Sequence, residues 1–231
     1  TEAVNIMTLE DPVEHPMPLM RQTSVSEANK VDFANGIRSM MRQDPDIILV
    51  GEMRDEETAK MAVRAAMTGH QVFTTLHTNS ALGVFSRLAD MGISYEMMAS
   101  NLIGIIAQRL VRKLCRHCKT ASNPTDSENN ILGLVQDDAT VIFKAQGCEQ
   151  CRFTGYKGRM AIMELLRIDA EVDALIARHA YLDELSALAI KKGFVSLAQD
   201  GLNHVLAGVT SLEEVMRVID ITALIDHVEH H

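Results

Sequence analysis

The chain has 231 residues, of which 47% are hydrophobic and 23% are charged, and its formal net charge is -9. These proportions are typical of globular proteins, and no apolar run approaches the ~18 residues needed to span a bilayer. The negative charge argues against a nucleic-acid interface over the whole surface, although the basic stretch Arg109 to Lys119 leaves a local one open. Because no basic stretch followed by an apolar core opens the chain, we expect a cytosolic protein.

The two ends of the sequence do not enter the fold prediction. Thr1 has no initiator methionine before it, so we expect further sequence upstream in the parent protein. Residues 228–231 read VEHH, which is typical of the start of a purification tag, and we expect a tag remnant there unless this sequence is native.

Strand and helix patterns alternate through the first half. The run IILV before Gly51 is continuously apolar, as in a parallel strand covered on both faces. Asp55 is a suitable N-cap for the helix that follows. The rhythm predicts an α/β fold, a parallel sheet with helices on both faces. The predicted elements around IILV are a strand at Val4–Leu9, a helix at Ser26–Gln43, a helix at Glu56–Thr68, a strand at Gln71–His77 and a helix from Ser80 to Gly92.

The pattern changes from about Thr120. Residues 121–130 are polar and rich in turn formers, which predicts a loop. Arg159–Leu166 predicts a strand, and the remainder predicts helices of about 8 to 14 residues. We expect these helices to be separated near Gly193, Gly201 and Gly208.

Polar side chains follow three of the predicted strands. They are Glu10 and Asp11 after the first strand, Glu52 after IILV, and His77 to Asn79 after the third. Ligands bind at the carboxyl ends of strands in open α/β sheets, so adjacent strands would bring these groups to one crevice. Such a group can orient a water molecule and hold a Mg²⁺-bound phosphate.

Each of these residues has a simpler interpretation when taken alone. Glu52 is then a solvated turn residue, and His77 is a helix cap or a satisfied hydrogen-bonding partner. Their coincidence at three strand ends favours the joint site. Arg38 and Arg42 lie four residues apart on one helix face, and we expect surface salt bridges from them.

The four cysteines form two C-x-x-C pairs, with 29 residues between the pairs. Four thiolates can close a tetrahedral Zn²⁺ shell, which favours a structural zinc site over a redox pair or cytosolic disulfides. His117, inside the first pair, is a minor alternative ligand. The predicted ligands are Cys115, Cys118, Cys148 and Cys151.

The sequence contains no GK dipeptide, so the phosphate-binding loop G-x-x-x-x-G-K-[ST] is absent. This chain cannot bind a nucleotide in the manner of that loop. No H-E-x-x-H, G-x-S-x-G or Rossmann glycine motif indicates another chemistry.

Several longer motifs together resemble the secretion ATPase superfamily, the hexameric motors of type II secretion and type IV pilus assembly. TLEDPVE resembles the family's aspartate box, RQDPDIILVGEMRD its Walker B motif and TGHQVFTTLHTNSA its histidine box. The resemblance continues through QRLVRKLC, TGYKGRMAIMELL and GLNHVLAGVTSLEEVMRV, and so covers nearly the whole chain.

The resemblance implies a RecA-like P-loop NTPase core truncated at its amino terminus, with a tetracysteine zinc-binding element and a helical carboxy-terminal subdomain. It implies the following roles: Glu52 as the catalytic carboxylate that polarises the attacking water, Glu10 and Asp11 as acids near Mg²⁺, His70 and His77 as sensors of the γ-phosphate, and Arg54 in structural or coupling work. The implied cofactors are ATP with Mg²⁺ and a structural Zn²⁺.

The implied partners are five further copies in a hexamer and inner-membrane platform proteins, with peripheral membrane association and no specific nucleic acid. The cysteine pairs resemble those of assembly motors. We expect the core at 1–114, the zinc element at 115–158, the strand and helical subdomain at 159–227, and the tag remnant at 228–231. The alternatives are a zinc-stabilised scaffold and a nucleic-acid-binding module that uses the basic stretch.

Overall fold

The computed structural model describes residues 4–25, 32–134 and 140–219. The chain divides into two compact units, one of Thr1–Ile105 with Arg167–Ala189 and the other of Ile106–Leu166 with Ile190–His231. The sequence predicts four parts, and their borders were drawn at sequence motifs. The two units are defined by packing, so the borders of the four parts stay a prediction. Within the described ranges, no helix has both the length and the apolar composition that a membrane crossing requires.

Strands and helices are interspersed along the whole described chain. They are β1 (Ile6–Glu10), β2 (Met20–Ser24), α1 (Phe33–Met40), β3 (Ile47–Val50), α2 (Glu56–Met67), β4 (Gln71–Thr74), α3 (Gly83–Asp90), α4 (Tyr95–Met98), β5 (Gly104–Leu114), β6 (Thr120–Ser122), α5 (Asp126–Leu132), β7 (Ile142–Lys144), a 3-10 turn (Glu149–Cys151), β8 (Tyr156–Arg167), α6 (Ala170–Ala177), α7 (Leu182–Lys191), α8 (Leu197–Leu206) and α9 (Leu212–Val218).

The first unit is built on a parallel sheet with the strand order β2-β1-β3-β4. Ile48 and Val50 on β3 are fully buried, and α1 and α2 pack against each other and against this sheet. Leu9 of β1 faces α1, where its side chain fills the space beside Gly36. Residues in register share a face of a parallel sheet, so Phe73 lies on the face away from α1 and remains 51% exposed. Helices on both faces, as expected from the sequence, are not seen among the described residues.

The helix after β3 has the predicted boundaries to within one residue. The carboxylate of Asp55 accepts hydrogen bonds from the backbone N–H of Thr58 at 2.8 Å and from its hydroxyl at 2.9 Å. Glu56 and Glu57 in the first turn favour the positive end of the helix dipole. Gly69 then takes a positive φ of 94°, which ends the helix at low steric cost.

Several predicted boundaries were wrong. The predicted helix at Ser26–Gln43 is observed only as α1, which Asp32 caps, and residues 26–31 lie outside the described part of the chain. The predicted loop at residues 121–130 instead contains the end of β6 and the start of α5, because Thr125 and Glu128 form a reciprocal capping box. Gly201 does not separate two helices but lies buried inside α8.

Nearly all of a long antiparallel ribbon of β5 and β8 lies in the second unit, where α8 and α9 back it. The N–H of Ile168 donates to the carbonyl of Ile103, and the N–H of Cys115 donates to that of Gly155, so the two strands run in opposite directions. The inner side of the ribbon packs into an apolar cluster of Ala107, Val111, Ile162 and Leu197.

Candidate nucleotide edge and cysteine cluster

Backbone hydrogen bonds fix the three segments that leave β1, β3 and β4. The N–H of Gly51 donates to the carbonyl of Leu9 at 2.7 Å, and the N–H of Met53 donates to that of Thr75 at 3.1 Å. The hydroxyl of Thr75 in turn donates to the carbonyl of Gly51 at 2.7 Å. The strands are therefore adjacent, and the convergence of their carboxyl ends follows from the strand order.

Glu52 is at the centre of this edge. Its carboxylate is 2.5 Å from Nη2 of Arg54 and 3.1 Å from Nε2 of His77. The Glu52 side chain is only 15% exposed, whereas those of Arg54 and His77 are mostly exposed. The hydrogen bond from Arg54 lowers the pKa of Glu52, against a smaller opposing effect of burial, and the contact with His77 adds to it. Glu52 is therefore an ionised carboxylate at neutral pH.

Glu10 is held at the end of the neighbouring strand. The hydroxyl of Thr8 donates to its carboxylate at 2.6 Å, and the side-chain amide of Gln22 on β2 donates at 2.9 Å. These two bonds lower the pKa of Glu10. Asp11 is exposed and close enough to Arg54 to contribute to the raised pKa of that guanidinium, although Glu52 is its main cause. The edge thus carries three acidic groups, of which Glu52 and Asp11 act on the charge of Arg54.

His70 is not part of this group. It precedes β4, so four residues of strand, or about 13 Å, separate it from the carboxyl edge. Its Nδ1 instead lies 3.0 Å from the carbonyl of Ala65 and 3.1 Å from the hydroxyl of Thr68, both at the end of α2. The sequence pattern pairs His70 with His77, but the fold places them at opposite ends of one strand.

The two arginines on α1 lie at the protein surface. Arg38 is 3.7 Å from Glu57 and donates to the side chain of Asn35 at 2.7 Å. Arg42 is exposed. The surface ion pair expected for Arg38 is therefore present.

The four cysteines lie together in the second unit, with all four sulfur atoms within 4.8 Å of one another. The Sγ–Sγ distances are 3.9 Å between Cys115 and Cys148, 3.8 Å between Cys118 and Cys151, and 3.8 Å between Cys148 and Cys151. A tetrahedron with Zn–S bonds of ~2.3 Å has edges of about 3.8 Å. The donor set therefore fits a tetrahedral thiolate-bound metal.

Backbone N–H groups surround these sulfurs. Gly147 donates to Cys118 at 3.3 Å, and Cys148 and Gly155 each donate to Cys151 at 3.2 Å. Burial raises the pKa of Cys118 to about 12, whereas for Cys151 the donated hydrogen bonds outweigh burial and lower the pKa to about 6. Such N–H donors are the outer-shell partners that stabilise thiolates as metal ligands. His117 is exposed and is not one of the clustered groups.

Two groups of residues around these sites were not found from the sequence. Gln22 contacts Glu10 from β2, a short polar strand that gives no apolar pattern. In the second unit, Glu214 is fully buried and binds Arg112 and Arg217, although the second of two adjacent glutamates in a helix gives no sign of burial. Both depend on contacts made by distant parts of the chain.

Comparison with known proteins identifies the family. The profile of the type II/IV secretion system protein family matches residues 1–217. The chain belongs to this family. A type IV pilus assembly ATPase of Acinetobacter baylyi, TfpB, is 45% identical over 96% of this chain and 38% of its own length. The type II secretion system protein E of Dickeya dadantii is 47% identical over 93% of this chain and 42% of its own length.

One solved structure is also similar to this chain in fold and sequence. The crystal structure of the pilus retraction motor PilT with bound ADP is 29% identical and superposes with a TM-score of 0.68, covering 93% of this chain and 52% of that one. A RecA-like core is consistent with this neighbour and with the parallel sheet. The chain spans about two fifths of the length of the curated relatives named here.

Proposed function

We propose that this chain is the carboxy-terminal part of an ATPase motor that drives assembly of a type IV pilus or a type II secretion pseudopilus. The observation that supports this most strongly is Glu52, ionised and held between His77 and Arg54 at the carboxyl edge of the sheet. Family membership supports the same activity. In the complete protein we expect a cytoplasmic homohexamer that meets the inner membrane through platform proteins.

In the proposed reaction, Glu52 orients the attacking water. A carboxylate offers about four lone-pair positions, so its contacts with His77 and Arg54 leave room for a water molecule. Phosphoryl transfer depends mainly on such positioning and on charge stabilisation. Bound Mg²⁺ would supply charge neutralisation at the phosphates, with Glu10 and Asp11 as the acids nearest to it. His77 would donate toward the terminal phosphate.

Arg54 has a restraining role in this proposal. Its guanidinium holds one oxygen of Glu52, and its own side chain is 64% exposed, so it can move at little cost. The ion pair keeps Glu52 in place and ionised before substrate binds. His70 lies away from this edge, so in this proposal it contacts a nucleotide only through surroundings that this unit does not supply. A neighbouring copy in a ring would provide such surroundings.

We also propose that the cysteine cluster binds one structural Zn²⁺. Four protein thiolates complete a tetrahedral shell and leave no open position for chemistry. The metal would fix the segments before β6 and after β7, whose own strands have only three residues each. The zinc element and the helical part after it would therefore be stable only with metal bound.

The experiment compares ATP hydrolysis by this chain with that by the complete protein, which we expect to carry the phosphate-binding loop. We expect steady turnover from the complete protein and none above background from this chain, because Glu52 acts on a water only where a phosphate is held. Absence of turnover in the assembled, zinc-loaded complete protein would contradict the proposal and favour a scaffold.

A further inference from the structure

The connection between β1 and β2, residues 11–19, is called the return segment here. The two strands are parallel and Ile6 pairs with Met20, so the return segment must travel back about 13 Å, the length of β1, before β2 begins. Parallel neighbours are usually joined by a dozen or more residues that include a helix. The return segment forms neither a helix nor a strand and is almost entirely exposed. Burial in the core therefore does little to hold it.

Gln22 on β2 holds the middle of the return segment. Its side-chain oxygen accepts a hydrogen bond from the N–H of Met17 at 2.6 Å, and its amide nitrogen donates to the carbonyl of His15 at 3.1 Å. The same nitrogen donates to the carboxylate of Glu10 at 2.9 Å. A glutamine amide has two N–H donors and one carbonyl, and all three groups are used here. An ionised glutamate at this position could make neither donation.

The bond from Gln22 reaches only one of the two carboxylate oxygens of Glu10. Thr8 is in register with Gln22, and Glu10 follows Thr8 by two residues, so the three side chains share one face of the sheet. Oε1 of Glu10 accepts the bond from Gln22 and a second bond, of 2.6 Å, from the hydroxyl of Thr8. Within the described part of the chain, Oε2 of Glu10 has no hydrogen bond or ion pair.

This arrangement suits a carboxylate that binds a metal. Mg²⁺ in phosphate-binding sites is usually held by one or two carboxylates together with waters and phosphates. Hydrogen bonds from residues that do not touch the metal commonly orient such carboxylates. Two donors on Oε1 fix the Glu10 carboxylate and leave Oε2 for the cation. Because Gln22 also holds the return segment, it connects the position of Glu10 to that of Asp11, with which the segment begins.

Ser24 offers a comparison within the same strand. Its hydroxyl accepts a bond from the N–H of Val13 at 3.1 Å, so it also ties the return segment to β2. Among the described contacts, its side chain has no bond to the carboxylate of Glu10. In these contacts Ser24 therefore holds only the return segment, Thr8 holds only Glu10, and Gln22 holds both.

We propose that Gln22 is a positioning residue for Mg²⁺ in the proposed ATPase. It fixes Glu10 through Oε1, which leaves Oε2 to bind the metal, and it fixes the return segment at the same time. Gln22 itself does not touch the metal. This inference rests on the proposed function, because it requires that the carboxyl edge binds a nucleotide with Mg²⁺. The competing role, in which Gln22 only holds the return segment, is decided by the test.

The test measures metal binding by the complete protein with ADP bound, and so does not depend on ATP turnover. Mn²⁺ takes the place of Mg²⁺ because free Mn²⁺ is seen by electron paramagnetic resonance, and the protein is kept in excess over ADP. Gln22→Met removes the amide and keeps the length of the side chain. Loss of an orienting residue typically weakens metal binding by 10–100-fold, so Gln22→Met should weaken Mn²⁺ binding by at least about tenfold. ADP affinity without metal should be unchanged, which shows that the variant folds.

Three further variants separate the two contacts of Gln22. Thr8→Val removes the other donor to Oε1 and should also weaken Mn²⁺ binding, without faster hydrogen exchange in the return segment. Ser24→Ala should speed hydrogen exchange in the return segment, as Gln22→Met does, but should leave Mn²⁺ binding unchanged. Thr23→Met places the same new side chain at the neighbouring exposed position of β2 and should change neither quantity.

Two kinds of failure can be told apart. If Gln22→Met bound Mn²⁺ as tightly as the unchanged protein, the inference would be overturned and the proposed function would stand. Equal loss of Mn²⁺ affinity in Ser24→Ala or Thr23→Met would also overturn it, because Gln22 would then act only through the return segment or the strand. If the unchanged complete protein bound no Mn²⁺ with ADP, the proposed function would fail together with this inference.

Discussion

The sharpest stability prediction concerns Glu214, which is fully buried on α9. Its carboxylate accepts a hydrogen bond from the backbone N–H of Arg112 at 2.9 Å, from the Arg112 guanidinium at 2.6 Å and 3.0 Å, and from the Arg217 guanidinium at 2.8 Å and 2.9 Å. Burial alone would raise the pKa of Glu214, but the bonds from the two arginines outweigh it and lower the pKa from 4.5 to about 2. The perturbation is Glu214→Gln, which removes the charge and keeps the shape.

The size of the pKa shift of Glu214 gives the expected change in the free energy of unfolding. A shift of about 2.5 units corresponds to about 3 kcal/mol of stabilisation at neutral pH. Because the folded pKa lies below the unfolded one, this contribution is complete above the unfolded pKa and is lost as the pH falls toward 2. We expect Glu214→Gln to lower the free energy of unfolding of the second unit by about 3 kcal/mol at pH 7. The difference from the unchanged chain should shrink by about 2 kcal/mol between pH 7 and pH 3.

The assay is urea unfolding followed by circular dichroism, with hydrogen exchange of peptides from β5 and α9 to assign the transition to the second unit. Glu213→Gln is the matched control, because Glu213 is the exposed neighbour on the same helix. Acid also releases thiolate-bound metals, so only the difference between the variants is compared at each pH. If Glu214→Gln and Glu213→Gln agreed within about 0.5 kcal/mol at pH 7, or if their difference did not depend on pH, the reasoning would be refuted.

Three further predictions follow from single contacts. Asp55→Ala removes the cap of α2 and should lower the free energy of unfolding by about 1 kcal/mol in thermal or urea denaturation; no change would show that the cap is replaced by water. Gly208→Ala should destabilise the second unit more than Gly133→Ala does, by about 1–3 kcal/mol. Both glycines have φ 65°, but only at Gly208 would the new Cβ lie 2.6 Å from the ring of Phe143. Equal costs would mean that the ring moves freely. We expect one zinc per chain by elemental analysis; Cys115→Ser should abolish it, whereas His117→Ser should retain it. Metal loss in both variants would make His117 a ligand.

Much of the first unit could be predicted because its signals are local. IILV is apolar throughout, as a buried parallel strand must be, and Asp55 is a cap that needs only its own helix. Adjacent parallel strands end at one edge, so the approach of Glu52 and His77 was expected on the condition that β3 and β4 are adjacent, and the structure places them side by side. The C-x-x-C spacing likewise indicated the cysteine cluster.

The features that sequence reasoning missed depend on tertiary contacts. The strand β5 carries apolar residues on both faces and arginines between them, so it shows no clean alternation of period two. The strand β2 lies at the edge of the sheet and is mostly polar. His70 and His77 were grouped by the family motif; the strand between them separates the two rings, and the role of His70 at the nucleotide stays a prediction. The burial of Glu214 depends on Arg112, which is 102 residues away in sequence.

The most direct test of the central claim is ATP turnover by the complete protein carrying Glu52→Gln, with Glu57→Gln as the control. Glu57 is 70% exposed on α2 and contacts only the surface residue Arg38 among the described ion pairs, so its loss should not alter turnover. A carboxylate that positions or deprotonates the attacking water contributes typically 10²–10⁴-fold. We predict that Glu52→Gln lowers kcat at least about 100-fold and leaves ATP affinity within a few-fold. A kcat within about threefold of the unchanged protein, or an equal loss in Glu57→Gln, would contradict the account.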